Sequence, residues 1–245
     1  MKLLILLLTL LFCFFSCGKD EIAPQQTEIS NYVKFDVGDV NYFQEDSIIF
    51  SQDIDGTKID SFRYLVKEII ADSFTINGQI NYAIDRFIRI DTLQEWSFNM
   101  RFFYIYTSNT LIRQEGNLPV IVLANPINRG FSWSATSLID ETTETFVGGE
   151  FIQTFKSWKS RYRSVRASYN SNGFSEPNTV KVEIANSETL IEIRKGEEVY
   201  SLGKGLIYRE LNVMDTQCGG NPIDCGGINW IDKAEKGFIV KTRRL

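Results

Sequence analysis

The sequence predicts one mainly β domain built from antiparallel strands. Of the 245 residues, 43% are hydrophobic and 13% are aromatic, which is enough for a substantial core. Apolar and polar residues alternate with a period of two in segments rich in Val, Ile, Phe and Tyr, and Gly, Asn and Asp separate these segments. No long stretch has the 3.6-residue period of an amphipathic helix. We therefore expect a single antiparallel β domain over residues 31–245.

The N-terminus has the pattern of a lipoprotein signal peptide. Lys2 precedes an apolar run over residues 3–15, which is shorter than the roughly 20 residues that span a bilayer. The run ends at Ser16-Cys17-Gly18, which resembles a bacterial lipobox. We predict a signal peptide over residues 1–16 and a lipid on Cys17, which becomes the first residue of the mature chain and anchors it to a membrane.

The residues that follow Cys17 predict the place in the cell envelope to which the protein is exported. Lys19, Asp20 and Glu21 resemble the surface-export signal of Bacteroidota lipoproteins. The resemblance implies a lipid-anchored protein on the outer face of the outer membrane, whereas a plain solvated tether is the alternative. Residues 17–30 include Pro24 and no aromatic residue, so we expect them to form a flexible tether between the lipid and the domain.

The first strands can be placed from alternation and turn residues. Ser97–Tyr106 is the clearest strand, and we expect its even-numbered residues to share one face: Phe98, Met100, Phe102, Tyr104 and Tyr106. Earlier strands are predicted at about residues 40–50, 60–71 and 79–90. Turns at residues 53–56 and at Asn77-Gly78 separate them.

Two later strands show the same alternation. Residues 180–184 alternate Val and Ile with Lys181 and Glu183, and residues 191–194 alternate Ile with Glu192 and Arg194. Asn186-Ser187-Glu188 is predicted to form the short turn between them.

The composition excludes several functions. The chain has no His, which removes Ser-His and Cys-His pairs and nearly every ordinary zinc site. Lys and Arg number 26 against 31 Asp and Glu, for a net charge of −5, which disfavours nucleic-acid binding. We predict no catalytic residue, no metal and no cofactor. A carbohydrate hydrolase that uses carboxylates alone, such as Glu141, Glu144 and Glu150, is the enzymatic alternative.

One segment combines basic and aromatic residues. In an extended chain Lys159, Arg161 and Arg163 share one face, and Trp158 and Tyr162 share the other. These residues could bind an acidic polysaccharide or phosphate, with the aromatic rings stacked on sugars. The alternative is a strand whose basic face is balanced by acidic residues on its neighbour.

Two cysteines predict a disulfide. Cys218 and Cys225 flank a Gly-rich loop in a chain that carries an export signal, and exported proteins fold in oxidising surroundings. A metal site would need more ligands than these two thiolates.

Several motifs resemble a known group of proteins. These motifs lie at residues 37–42, 118–126, 130–133 and 200–210, and the last reads Tyr-Ser-Leu-Gly-Lys-Gly-Leu-Ile-Tyr-Arg-Glu. In this order they are similar to those of uncharacterised Bacteroidota surface lipoproteins. More loosely, the chain resembles the open antiparallel half-barrels of LolA-like lipoprotein carriers. The resemblance implies an open half-barrel or a β-sandwich, and it transfers no catalytic residue.

These observations predict a surface-exposed outer-membrane lipoprotein that works without catalysis, in binding or in envelope assembly. The main alternative is a periplasm-facing carrier of lipidic ligands, which would use an apolar concave surface. A continuous apolar cleft would favour the carrier. An exposed platform of Trp and Tyr would favour a glycan-binding protein, and two convergent carboxylates would favour the hydrolase.

Overall fold

The computed structural model describes residues 28–171, 174–220 and 225–245, which form a domain of antiparallel strands. Within these residues the helices α1 (Glu28–Tyr32) and α2 (Trp230–Lys233) accompany the strands, and a 3₁₀ turn spans Cys218–Gly220. The strands in chain order are β1 (Val40–Asp53), β2 (Gly56–Ile76), β3 (Gln79–Arg89), β4 (Ser97–Tyr106), β5 (Thr110–Glu115), β6 (Leu118–Ala124), β7 (Ser132–Trp133), β8 (Thr145–Val147), β9 (Glu150–Ile152), β10 (Ser160–Ser171), β11 (Phe174–Glu188), β12 (Glu192–Ser201), β13 (Gly205–Asp215) and β14 (Lys236–Arg244).

Twelve of the strands form one sheet, in the order β6-β5-β4-β3-β2-β1-β14-β13-β12-β11-β10-β7. Most neighbours in the sheet are also neighbours in the chain, as expected for hairpins that follow one another. The two exceptions are β14, which returns from the end of the chain to pair with β1, and β7, which pairs with β10. β8 and β9 form a separate hairpin.

The sheet rolls up until its two edges meet. The backbone N–H of Ile121 on β6 donates to the Ala135 carbonyl at 2.9 Å, and the Trp133 indole on β7 donates to the Ile121 carbonyl at 2.9 Å. The Tyr162 hydroxyl donates to the Ala124 carbonyl at 2.7 Å. The predicted antiparallel β class is confirmed, and the form is a nearly closed single sheet, more closed than an open half-barrel and different from a sandwich.

The predicted strand positions are confirmed in outline, and several ends are extended. β1 and β2 run to the tip of their hairpin and are longer than predicted. The turn predicted at Asn186-Ser187-Glu188 was wrong, because β11 continues through Glu188 and the chain turns just before β12 begins at Glu192. The last three residues of the predicted tether belong to the domain, because α1 begins at Glu28 and Ile29 is buried in the core. The rest of the predicted tether lies outside the described residues.

The predicted inner face of β4 is correct for Phe102 and Tyr104, which are buried. Phe98 is the exception. The register of β3 and β4 shifts between Arg86 and Phe87, so that Arg86 pairs with Met100 but Phe87 pairs with Phe98. Because this bulge inserts Asn99, Phe98 lies on the same outer side as Phe87, with the two rings 5.7 Å apart.

Different segments close the two ends of the rolled sheet. At one end, α1 and the residues after it enter the interior: Asn31 accepts a hydrogen bond from Gly203 at 2.8 Å, and Phe35 stacks on Tyr104 at 4.8 Å. At the other end, the hairpin of β8 and β9 lies over the last residues of β1. The backbone of Gly148 there is so close to Ile49 that an added Cβ would lie 2.6 Å from the Ile49 Cγ2.

A smaller apolar cluster lies on the outside of the sheet. Phe50, Ile193, Met214, Ala234 and Ile239 form it, with Ile48 and Trp230 packed against it. The segment that carries the two cysteines and α2 supplies Ala234 and Trp230. This segment therefore covers apolar side chains that the outer face of β1, β12, β13 and β14 would otherwise expose to water.

Candidate functional site

A cavity of about 350 Å³ lies inside the rolled sheet, and we call it the central cavity. Its volume falls within the range of sites that hold small molecules. One part of its wall is apolar and is formed by Met100, Leu118, Val120, Val147, Phe155, Trp158, Leu211, Phe238 and Val240. The other part is charged and is formed by Glu45, Arg86, Arg113, Glu115 and Arg209.

The charged wall belongs to an interior charge network that joins opposite sides of the sheet. Arg113 on β5 contacts Glu198 on β12 through Nη1 and Oε1 at 2.8 Å, and Glu115 on its own strand at 3.1 Å. Arg209 on β13 lies 3.5 Å from Glu198 and 3.7 Å from Glu115. The Tyr200 hydroxyl donates to the second oxygen of Glu198 at 2.6 Å. Each of these charges therefore has a partner, as buried charges require.

A second part of the network lies on β1, β2 and β3. Arg86 pairs with Glu45 and lies 3.8 Å from Glu68, which is its direct cross-strand neighbour. Glu45 also accepts a hydrogen bond from Thr242 at 3.0 Å. Glu68 therefore has the weaker contact with Arg86, because Glu45 holds the same guanidinium more closely.

The carboxyl groups of the network differ in pKa. Burial by itself raises the pKa of Glu198, but Arg113, Arg209 and the Tyr200 hydroxyl outweigh it and hold this pKa below the ordinary value. Glu115 behaves in the same way, since Arg113 and Arg209 overcome its burial. The pKa of Glu68 is raised, because burial outweighs the attraction of Arg86.

The network combines three guanidinium groups, those of Arg86, Arg113 and Arg209, with the carboxyl groups of Glu45, Glu68, Glu115 and Glu198. Groups of both signs therefore meet along this wall, and their ion pairs fix the shape of the cavity.

Three donors at the cavity wall have no hydrogen-bond acceptor among the residues that the structure describes. One of them, the Nε–H of Arg209, lies 3.5 Å from a Glu198 oxygen. The other two are the indole N–H of Trp158, which is 3% exposed, and the Nε–H of Arg86. Buried donors without an acceptor are costly, and they are uncommon in folded proteins. Both groups could therefore donate to an oxygen atom of a molecule in the cavity.

The hairpin of β8 and β9 and the segment after it form one side of the cavity. Thr145, Val147 and Phe155 line it. Polar contacts hold this segment to the rim of the sheet: Arg194 donates to the Gln153 carbonyl at 2.8 Å, and Lys236 donates to the Phe151 carbonyl at 2.9 Å. The rings of Phe146 and Phe151 lie 5.1 Å apart on the outer side of the hairpin, where both residues are exposed.

The predicted lipidation and export residues cannot be compared with the structure. Cys17, Lys19, Asp20 and Glu21 lie outside the described residues. Cys218 and Cys225 are joined by a disulfide, and their Cα atoms are 5.6 Å apart.

The structure corrects part of the predicted basic and aromatic site. The faces alternate as expected, but Trp158 is 3% exposed and Tyr162 is 1% exposed, so neither ring can stack on an external sugar. Both rings belong to the core because the apolar face of this segment points into the rolled sheet. On the outer face Arg161 and Arg163 both bind Glu183 of β11. Lys159 is exposed.

A groove of about 460 Å³ runs along the outside of β10 to β13, next to Arg163. Its lining includes Lys181 and Glu197, which form an ion pair at 2.6 Å. The basic residues here are therefore neutralised by acidic residues on neighbouring strands, which is the arrangement that the alternative interpretation of this segment describes.

The interior charge network was not predicted from the sequence. The signal was present in the alternation of the strands, because Arg86 and Arg113 occupy the same phase as the apolar residues Ile84 and Leu111 two positions before them. A charged residue in phase with core positions is either paired inside the fold or marks an end of the core.

The sequence matches no known protein family and no curated protein. Two solved structures are similar to the fold at TM-scores of 0.42 and 0.41. The first is a candidate exported protein of Bacteroides fragilis with a YmcC-like fold, at 9% identity over 87% of this chain and 96% of that one. The second is a candidate lipoprotein of Parabacteroides distasonis, at 10% identity and the same coverage. Both descriptions agree with an exported lipoprotein, but likeness at this level carries no argument about this chain, and the resemblance to LolA-like carriers stays a prediction.

Proposed function

We propose that this protein is a lipid-anchored binding protein of the cell envelope that holds a small, mainly apolar ligand in the central cavity. The observation that carries the proposal is the cavity itself, about 350 Å³ with a wall that is apolar on one side. Small-molecule sites typically combine such a wall with a few polar groups that orient the ligand. Trp158 and Arg86 supply two donors of this kind.

The proposed location is the outer face of the outer membrane, and it rests on Cys17 and on Lys19, Asp20 and Glu21. None of the helices in the described part of the chain has the length and hydropathy of a membrane-spanning helix. The chain enters the domain at α1, so a lipid on Cys17 would hold this end towards the membrane. The hairpin of β8 and β9 would then face away from it.

The location is tested by fractionation and by protease treatment of intact cells. Cys17→Ser should abolish labelling with palmitate and release the protein from membranes. Replacing Lys19, Asp20 and Glu21 by Ala should protect the domain from added protease. Retention of the Cys17→Ser variant in the membrane would contradict the anchor.

Binding without catalysis is favoured over hydrolysis by the state of the carboxyl groups. A hydrolase of this kind needs a carboxylic acid with a raised pKa beside a second carboxylate at the substrate. At the cavity wall the pKa of Glu115 is lowered instead, and Glu68, whose pKa is raised, is not among the residues that line the cavity. Glu141 and Glu144 are exposed, Glu150 is half-buried, and none of the three lines the cavity.

A periplasm-facing carrier of lipidic ligands is the second candidate. The apolar wall of the central cavity favours it equally, since both functions need the same site. The two differ in the membrane face to which the domain is attached. If added protease leaves the wild-type domain intact on whole cells but cleaves it after the outer membrane is opened, the periplasmic carrier is correct.

The binding itself is tested by titration with phenylnaphthylamine, a neutral probe that fluoresces in apolar surroundings. The matched variants are Val240→Phe, which adds volume at the cavity wall, and Val37→Phe, which makes the same change at an exposed residue outside the cavity. We expect saturable binding that Val240→Phe abolishes and Val37→Phe preserves. No saturable binding, or equal loss in both variants, would contradict the proposal.

A further inference from the structure

A group of aromatic side chains lies on the outer face of β1 to β4, on the opposite side of the sheet from the central cavity. Tyr42 pairs with Lys67, Lys67 pairs with Phe87, and Phe87 pairs with Phe98, so the four side chains form one row across four strands. Trp96 and Arg89 lie beside this row. We call these six residues the outer aromatic platform.

The two cations of the platform are held by aromatic rings. The Lys67 ammonium lies 4.7 Å from the centre of the Phe87 ring and 5.0 Å from that of Trp96. The Arg89 guanidinium carbon lies 4.3 Å from the centre of the Trp96 ring. All three distances are within the range of cation–π attraction, which places the charges over the flat faces of the rings.

Three carboxylates on or next to these strands have other partners, and none of the three pairs with these cations. Asp46 pairs with Arg63, and Asp85 pairs with Arg101. Asp91 accepts backbone hydrogen bonds from Leu93 and Gln94. Among the described residues, no carboxylate forms an ion pair with Lys67 or Arg89, and the Arg89 Nε is buried without a hydrogen bond.

The platform is open to water. Tyr42, whose ring lies 6.0 Å from that of Trp96, is 46% exposed, and Phe98, beside Phe87, is 59% exposed. The other four platform residues are half-buried. Such a patch costs solubility, and it commonly marks a binding surface. Here a ligand would meet flat apolar rings and two positive charges in one place.

We propose that the outer aromatic platform is a second binding site, and that it takes an acidic polysaccharide with uronic acid units. The apolar face of a sugar ring stacks on aromatic side chains, and its carboxylate can pair with the Arg89 guanidinium or the Lys67 ammonium. A nucleic acid or an anionic membrane would be bound through many cations. Two cations beside four rings suit a ligand that carries one charge per sugar ring.

This site is separate from the ligand of the central cavity, and it does not depend on the proposed function. It also differs from the basic segment that the sequence singles out. Arg161 and Arg163 share the carboxylate of Glu183, and their aromatic neighbours Trp158 and Tyr162 are buried. Lys67 and Arg89 lie over the half-buried rings of Phe87 and Trp96, and neither shares a carboxylate in this way.

The test is a titration with trigalacturonate, a short acidic oligosaccharide, on the full mature domain. The variants are Lys67→Gln with Arg89→Gln, and separately Trp96→Leu. The matched control is Arg161→Gln with Arg163→Gln, which removes two arginines from the other basic surface. Maltotriose and poly-glutamate serve as a neutral sugar and as an anion without sugar rings. Retained phenylnaphthylamine binding, or an unchanged unfolding temperature, shows that a variant is folded.

We expect trigalacturonate to bind, and its affinity to fall about fivefold or more in both platform variants, as the loss of two ion pairs or one stacking surface implies. The control variant should keep the wild-type affinity. Binding should weaken between 0.1 M and 1 M salt, since the Debye length falls from about 10 Å to about 3 Å. The proposal is overturned if trigalacturonate does not bind, if poly-glutamate binds equally well, or if the control variant loses as much affinity as the platform variants.

Discussion

Arg113 on β5 and Glu198 on β12 form an ion pair at 2.8 Å, although six strands lie between them in the order of the sheet. On a flat sheet the seven spacings between neighbouring strands, from β5 to β12, would separate the two residues by about 34 Å. The pair therefore exists only because the sheet rolls up, and it lies where opposite walls of the interior meet. Both side chains are almost fully buried, at 5% and 1% exposure.

The first prediction concerns the stability that depends on this pair. Arg113→Met leaves Glu198, which is 1% exposed, with one of its two cations removed, so the free energy of unfolding should fall by about 3–5 kcal/mol. Arg163→Met is the matched control, because Arg163 is half-exposed and its ion pair with Glu183 is worth at most about 1 kcal/mol. Urea denaturation measures both values. An equal loss of unfolding free energy in the two variants would mean that the interior ion pair contributes no more to stability than the exposed one.

The second prediction uses the opposite pKa directions of Glu198 and Glu68. The lowered pKa of Glu198 stabilises the fold above the unfolded-state pKa of about 4.3, and this contribution is lost as the pH falls through the folded-state value. The raised pKa of Glu68 has the opposite effect on stability. Its contribution to stability is lost as the pH rises from the unfolded-state pKa of this group to its folded-state pKa.

Glu198→Gln should therefore destabilise the protein more at pH 7 than at pH 4, whereas Glu68→Gln should become less harmful, or stabilising, as the pH rises over the same interval. Urea denaturation of the wild type and both variants at the two pH values tests this. If the effects of the two substitutions on the unfolding free energy change with pH in the same direction, the description of the network is wrong.

The third prediction concerns the outer segment held by Cys218 and Cys225. Replacing both residues by Ser opens a small ring, and loop entropy alone implies a loss of about 2.5 kcal/mol in unfolding free energy. Thermal unfolding of the double variant and of the wild type with reductant should give the same lowered midpoint. An unchanged midpoint in both cases would show that the segment stays in place without the disulfide.

The fourth prediction concerns the hairpin of β8 and β9. Gly148 and Gly149 both have positive φ, so Ala at either position costs about 1 kcal/mol in backbone strain. Only at Gly148 would the new methyl group also meet Ile49, at 2.6 Å. Gly148→Ala should therefore displace the hairpin and weaken phenylnaphthylamine binding, while Gly149→Ala keeps the wild-type affinity. Equal affinities in the two variants would mean that the hairpin does not shape the cavity.

The alternation of residues predicts the class of this fold well. Ser97–Tyr106 is recovered with its bounds, since strong period-two alternation and clear turns define a strand locally. The bulge at Asn99 is not encoded in that pattern, so the outer position of Phe98 was missed. The rolled shape of the sheet could not be predicted from the alternation either. It depends on contacts between residues that are far apart in the chain, such as Tyr162 and Ala124.

The binding sites were harder to predict for the same reason. The segment with Trp158 and Tyr162 looked like a surface for sugars because aromatic and basic residues alternate there, but alternation cannot tell which face points inward. The outer aromatic platform combines residues from four strands, and Tyr42 and Phe98 become neighbours of Lys67 and Phe87 only through strand pairing. A local pattern in the sequence cannot contain such a site.

The most direct test of the central cavity is the fluorescence of Trp158, which lines its wall. Bromine quenches tryptophan only at short range, so a bromine-labelled methyl ester of a medium-chain fatty acid reports on its own position. We predict saturable quenching in the wild type, and loss of that saturable part in Trp158→Phe, while the contributions of Trp96, Trp133 and Trp230 are unchanged. Equal saturable quenching in both proteins would place the ligand elsewhere, and no saturable quenching in the wild type would contradict binding in the cavity.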